Sequence, residues 1–147
     1  MTIFPQINSF DGVYRFLSNF HPCVVYYEDL KFTSVESAYQ SAKCKHIKDR
    51  IRFVKLTAPQ AKQLGKKIDI RDDWGYIKVD VMRDLIEQKF SVGGKLSEWL
   101  LDTGDAILVE GNTWNDTFWG VCNGKGQNVL GNLLMERREI LRGRDDR

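Results

Sequence analysis

Apolar residues recur three and four apart between residues 74 and about 90, where Trp74, Ile77, Val81 and Leu85 form one stripe and Met82 and Ile86 widen it. That period predicts a long amphipathic helix, with Asp72 or Asp73 as its cap and Gly93-Gly94 ending the pattern. A second helix is predicted from Lys95 to Asp102, carrying Leu96, Trp99, Leu100 and Leu101, with Gly104 as its stop. Upstream, β-branched and aromatic Cys23-Val24-Val25-Tyr26-Tyr27 reads as a strand. Glu28-Asp29-Leu30 turns the chain and Lys31-Phe32 returns as the second arm of a hairpin. Thr33-Ser34-Val35-Glu36 opens a helix running to Lys43 or beyond, and 50–56 reads as another. Pro59 suits a first helical turn and Gly65 its end. The aromatic-rich start, 3–20, reads as strand plus loop, and His21-Pro22 interrupts any regular element. Ala106-Ile107-Leu108-Val109-Glu110 reads as a buried strand, and Leu133 to Leu141 as a last helix. The sum is α+β: a single helix-rich domain over 1–147 with a small sheet of few strands.

Composition narrows the class. At 147 residues, with 42% hydrophobic residues, the chain is long enough for one domain with its own core. A mean hydropathy of −0.39 is that of an ordinary soluble globule. No apolar run approaches a membrane span, and Met1-Thr2-Ile3-Phe4-Pro5 lacks the layout of a signal peptide. Three cysteines (Cys23, Cys44, Cys122) and two histidines, without ligand spacing, argue for free thiols in a reducing cytoplasm and against a metal site. The net charge is only +2, but ten Lys/Arg lie between Lys43 and Arg71 against Asp49 and Asp69. Such a block can attract phosphates; more often it is a solvated helix face.

Two segments carry candidate chemistry. Glu36, Tyr39, Gln40 and Lys43 fall at i, i+3, i+4 and i+7, so a carboxylate, a phenol, an amide and an ammonium line one helix face. The competing reading is local: Thr33-x-x-Glu36 matches a capping box, in which Glu36 only bonds the cap residue's N–H. From this segment alone the cap is the better account. The second segment runs from Asn115 to Gly131 and holds Asp116, Trp119, Lys125, Asn128 and four glycines ahead of a helix. Its backbone N–H groups are expected to be open to an anion. It lacks the Gly-Lys-Ser/Thr of a P-loop, and no hydrophobic strand runs straight into a Gly-x-Gly-x-x-Gly. Glu36 and Asp116 are expected to converge on one substrate. A carboxylate stabilises the oxocarbenium-like transition state of cleavage at an anomeric carbon and can activate water. Trp74 and Trp119 are candidates to stack on a planar base, although either indole taken singly is more often core.

Taken together these segments are similar to the NADAR (YbiA-like) family. The resemblance rests on Phe16-Leu17-Ser18-Asn19-Phe20, Ser34-Val35-Glu36 with Tyr39-Gln40 and Lys43, Arg71 with Trp74, Met82, Lys89-Phe90, and Leu101 with Thr103-Gly104. It closes on Asn115-Asp116-x-x-Trp119-Gly120 and Gly124-Lys125-Gly126-x-Asn128-x-Leu130-Gly131-x-x-Leu134-Met135-x-x-Arg138. Each motif is weak singly; in one order over nearly the whole chain they are specific. The resemblance implies an N-glycosidase acting on a ribosyl C1′–N bond, without metal or cofactor. One branch of the family releases ribose 5-phosphate from phosphoribosylamino-pyrimidine intermediates of riboflavin biosynthesis. Another removes ADP-ribose from modified guanine in nucleic acid. It places catalysis on Glu36 and Asp116, reversing the odds on the cap, with Trp74 and Trp119 shaping the base site. Asn19, Lys43 and Arg71 are expected to contact ribose and phosphate, with Tyr39, Gln40, Lys125 and Asn128 completing the substrate contacts. Val121-Cys122-Asn123 departs from the more glycine-rich relatives and bears on the leaving-group pocket. The rival of a different class is a non-catalytic module binding ADP-ribose or an NAD derivative, which would need the stacking and phosphate contacts but not Glu36.

Overall fold

In chain order, the elements are β1 (Gln6–Ile7), a 3₁₀ helix (Gly12–Leu17), β2 (Val25–Tyr27), β3 (Leu30–Phe32), α1 (Val35–Ala42) and α2 (Ile47–Ile51). They continue with α3 (Ala58–Leu64), α4 (Trp74–Lys89), α5 (Lys95–Asp102), β4 (Ile107–Leu108) and α6 (Val129–Asp145). This computed structural model describes residues 5–145. The fold is α+β, and its contacts divide the chain into two compact units, Asn19–Lys89 and the described parts of Met1–Ser18 with Phe90–Arg147.

In the unit Asn19–Lys89, β2 and β3 form the expected antiparallel hairpin, pairing Val25 with Phe32 and Tyr27 with Leu30. Glu28 and Asp29 both take positive φ (47° and 67°), the twist that joins two strands through a two-residue turn. Helix α1 packs against α2, α3, α4 and both strands of the hairpin. Such enclosure explains its composition: Ala38 and Ala42 let neighbouring backbones approach, and both are fully buried. The buried hydroxyls of Ser37 and Ser41 donate to the carbonyls of Phe53 (2.7 Å) and Arg50 (3.1 Å). Val25, Phe32, Phe53, Val81, Met82, Leu85 and Ile86 fill the core, so the 3.6-residue stripe of α4 faces inward as its pattern requires. Helix α2 begins at Ile47, earlier than expected, because the His46 carbonyl accepts the N–H groups of Asp49 and Arg50; turns replace helix beyond Ile51. Pro59 lies in the first turn of α3, and a true capping box stands there, with Thr57 and Gln60 exchanging side-chain and backbone bonds.

In the other unit, β1 pairs with β4 in parallel, Gln6 against Ile107 and Ile7 against Leu108. Helix α6 packs on β4 and α5, burying Leu100, Leu108, Leu130, Leu133, Leu134 and Leu141. Two expectations change here. The 3₁₀ helix replaces a loop, closed by bonds from Tyr14 N–H to Asp11 and from Ser18 N–H to Arg15. The strand expected over 106–110 shrinks to two residues, since the chain turns away at Glu110, whose carbonyl accepts the Val121 N–H (2.8 Å) while its own N–H donates to Asn128 Oδ1 (3.0 Å). The expected Ile3 and Phe4 lie outside the described residues. Among the described residues no helix is long and apolar enough to cross a membrane.

Candidate active site

Glu36 is placed by the cap of α1. Ser34 is extended (φ −160°, ψ 156°), and its hydroxyl accepts the Ser37 N–H at 3.0 Å. The cap is therefore one residue later than a Thr33–Glu36 box requires, and Glu36 is the second residue of the helix. Its own N–H donates to the Asn19 carbonyl (3.0 Å), and its carboxylate Oε2 accepts from Gln40 Nε2 at 2.7 Å. The capping-box account of Glu36 is overturned. What remains is a carboxylate only 8% exposed in the first turn of a helix.

Its neighbours within this unit follow the polar stripe. Asn19 is buried; its Nδ2 makes a weak contact to Met82 Sδ (3.7 Å), while its Oδ1 is buried without a hydrogen-bond partner among the described residues. A buried acceptor without a protein donor needs one from an ordered water or a ligand. Tyr39 and Trp74 lie 5.2 Å apart between ring centroids, tilted 56°, and form a half-buried aromatic pair at the start of α4. Lys43 caps the C-terminal end of α1. Burial lowers its ammonium below the usual lysine range, and the charges of Glu36 and Cys44 act the other way. Arg71 donates its N–H to the Lys43 carbonyl (2.9 Å). Its guanidinium forks onto Asp73 (2.7 and 3.2 Å) and reaches the Tyr27 hydroxyl at 3.1 Å, and the Asp73 bonds hold it above the usual arginine range. A phosphate at Arg71 would have to compete with Asp73. The structure thus links Asn19, Glu36, Gln40 and Lys43 in one cluster, with Tyr39 and Trp74 as a pair and Arg71 as a strap.

The glycine-rich loop of the other unit is organised differently from the expectation. Asp116 Oδ1 accepts the N–H groups of Phe118 (3.2 Å) and Trp119 (3.0 Å). Asn112 clasps the Asp116 backbone from both sides, accepting its N–H (3.0 Å) and donating to its carbonyl (2.9 Å). Asn128 ties the start of α6 to β4, with Oδ1 on Glu110 N–H (3.0 Å) and Nδ2 on the Leu108 carbonyl (2.9 Å). The N–H groups of Val129 and Leu130, expected to be open to an anion, donate to the carbonyls of Phe118 and Trp119. The glycines serve close approach: a β-carbon at Gly120, Gly126 or Gly131 would collide with the carbonyls of Glu110, Gly120 or Leu108. Trp119 packs edge-on against Phe118, with centroids 4.8 Å apart, and Lys125 is exposed. Asp116→Ala is expected to lower stability by about 1 kcal/mol through loss of the two loop bonds. Asp116→Asn, which keeps the acceptor, should melt near wild type. Equal melting of the two variants would show that the bonds do not hold the loop.

From sequence, Gly65 reads only as a helix stop and Asp73 only as a candidate cap, not as the partner of Arg71, and Asn112 stands out in no motif. Asn112 carried one signal, an amide four residues before an aspartate in a loop segment. Among the described residues no group of three or more His, Cys, Asp or Glu could hold a metal ion.

An α+β fold with a helix-borne, buried glutamate beside amide, lysine and paired aromatics defines the class, and the sequence matches the NADAR domain over residues 8–142. The chain belongs to the NADAR family. It is 36% identical over 136 residues to N-glycosidase Npun_R5314 of Nostoc punctiforme, covering 88% of this chain and 86% of that one. N-glycosidase YbiA of Escherichia coli is 35% identical over 132 residues, covering 87% and 82%. Riboflavin biosynthesis protein VVA0006 of Vibrio vulnificus is 36% identical over 135 residues, 89% of this chain but 36% of that longer protein. The NMR structure of E. coli YbiA superimposes with a TM-score of 0.84 at 32% identity, covering 99% of this chain and 89% of that one.

Proposed function

We propose that this N-glycosidase hydrolyses a ribosyl C1′–N bond, releasing ribose 5-phosphate from phosphoribosylamino-pyrimidine intermediates of riboflavin biosynthesis. The reaction class is supported by relatives named N-glycosidase that align over most of both chains. The finer substrate is supported by a relative named as a riboflavin biosynthesis protein. The observation that carries the mechanism is the state of Glu36: buried, on a helix whose side-chain cap is Ser34, and held by Gln40.

In the proposed reaction the C1′–N bond breaks as positive charge develops on C1′ and the ring oxygen. The Glu36 carboxylate stabilises that charge and accepts a proton from the attacking water as the new C1′–O bond forms. The leaving nitrogen takes up one proton from solvent, and Glu36 returns to solvent the one it accepted, so that one water is consumed in all. Asn19 Oδ1 offers an acceptor to a ribose hydroxyl, Tyr39 and Trp74 offer faces to the base, and Lys43 offers its charge to the phosphate. Asp116 as a second catalytic carboxylate, and Trp119, Lys125, Asn128 and Arg71 as substrate contacts, rest on the family resemblance alone.

The test is a product assay offering a phosphoribosylamino-pyrimidine and, separately, DNA carrying ADP-ribosylated guanine. Ribose 5-phosphate from the first is the expected result, and Lys43→Ala should raise KM for it more than it lowers kcat. Release of ADP-ribose alone would move the assignment to the nucleic-acid branch. Binding of either substrate without release would favour the non-catalytic module.

A further inference from the structure

Gly65 ends α3 at φ −60° and ψ −16°, a right-handed conformation that any residue adopts, so the backbone does not ask for glycine here. Space does. Gly65 is buried, α3 packs on α1, and a β-carbon built on Gly65 would overlap the Oε1 and Cδ atoms of Gln40. The carboxamide of Gln40 fills the volume that a side chain at 65 would take. Its other end is the donor to Glu36 Oε2 (2.7 Å).

The orientation of that carboxamide follows from chemistry. Gln40 Nε2 donates to the carboxylate, so the amide nitrogen faces Glu36 and the amide oxygen faces Gly65. That oxygen is buried and has no hydrogen-bond partner among the described residues. Shape at Gly65, together with the single bond to Glu36, therefore sets where the Gln40 side chain lies. We propose that Gly65 is a positioning residue for Glu36, acting through Gln40: the missing side chain at 65 lets Gln40 hold the carboxylate in its working geometry. The proposal rests on the reading of Glu36 as the catalytic carboxylate.

The experiment compares Gly65→Ala, Gln40→Ala, the double variant and Glu36→Gln, with a phosphoribosylamino-pyrimidine as substrate. Gly65→Ala should fold, melt near wild type and bind with little change in KM. Its kcat should fall by about a hundredfold, the scale expected when a reacting group is displaced by about 1 Å. The acid limb of its pH–rate profile should move to higher pH, because a carboxylate that loses a donor is protonated more readily. The double variant should be no slower than Gln40→Ala, since the obstacle to an alanine at 65 is then gone. Wild-type kcat and pH profile in Gly65→Ala, with Glu36→Gln inactive, would overturn the inference. So would a double variant whose loss is the product of the two single losses. If Gly65→Ala alone is unfolded, the double variant should fold again, and its failure to do so would equally overturn the inference. Full activity in Glu36→Gln would instead remove the reading of Glu36 on which it rests.

Discussion

Glu36→Gln should give a folded protein that still binds substrate, with turnover lower by about a hundredfold or more. The charge to be stabilised exists only as the C1′–N bond breaks, so a fixed carboxylate acts on the transition state rather than on the bound substrate. Glutamine preserves length and keeps an acceptor for the Gln40 amide, while removing charge and basicity. Because the Ser34 hydroxyl supplies the side-chain cap of α1, the substitution should cost little stability. A glutamate acting only in the fold would give the opposite result, full turnover with a lower melting temperature. Single-turnover product release and thermal melts on one preparation separate the two. Near-wild-type release of ribose 5-phosphate by the variant would end the proposed mechanism.

What could be read from the sequence divides along local and non-local lines. The stripe of α4 and the extent of α5 were legible because each repeats its apolar period over two or more turns, and the hairpin because turn residues flank β-branched arms. The polar face of α1 was legible from spacing alone, and the Glu36–Gln40 bond is an i, i+4 contact of that face. The cap lies one residue beyond its expected position because Thr33 and Ser34 are equally able to cap, and only the backbone angles choose between them. The arrangement of the loop before α6 is not legible for a different reason. Whether its N–H groups meet an anion or the chain depends on carbonyls at Phe118 and Trp119, brought back by a turn that Asp116 and Asn112 stabilise. Nothing in composition distinguishes glycines that cradle a phosphate from glycines that let two backbones touch. Gly65 is legible as a helix stop and ends α3. Its contact with Gln40, twenty-five residues away, exists only once α1 and α3 are packed.

The stability of the protein should rise between pH 8 and 9, and Lys89→Met should remove most of that rise. Lys89 ends α4 and is only 5% exposed, held in place by Gln88, whose side chain brackets the backbone N–H (2.7 Å) and carbonyl (2.9 Å) of Tyr26. Burial lowers its ammonium from 10.5 to about 8, with the charge of Cys23 acting the other way. Above about pH 8 the folded chain has released this proton and the unfolded chain still carries it until about 10.5. The unfolded state therefore binds more protons in that window, and stability increases with pH. The whole effect is about 3 kcal/mol, of which about 1 kcal/mol falls between pH 8 and 9. Cys23, raised above 9.0 by its burial, and Cys44, raised to about 11, have the opposite sign: their contribution is lost as pH climbs past the thiol range. Lys43, also lowered by burial, has the same sign as Lys89 and is untouched by the substitution. The clean comparison is thus denaturant unfolding at pH 7, 8 and 9 for both proteins. Methionine keeps the length and apolar stem of lysine, so Lys89→Met should be more stable than wild type at pH 7 and nearly level from 8 to 9. An equally steep rise in the variant would show that the buried amine is not its source.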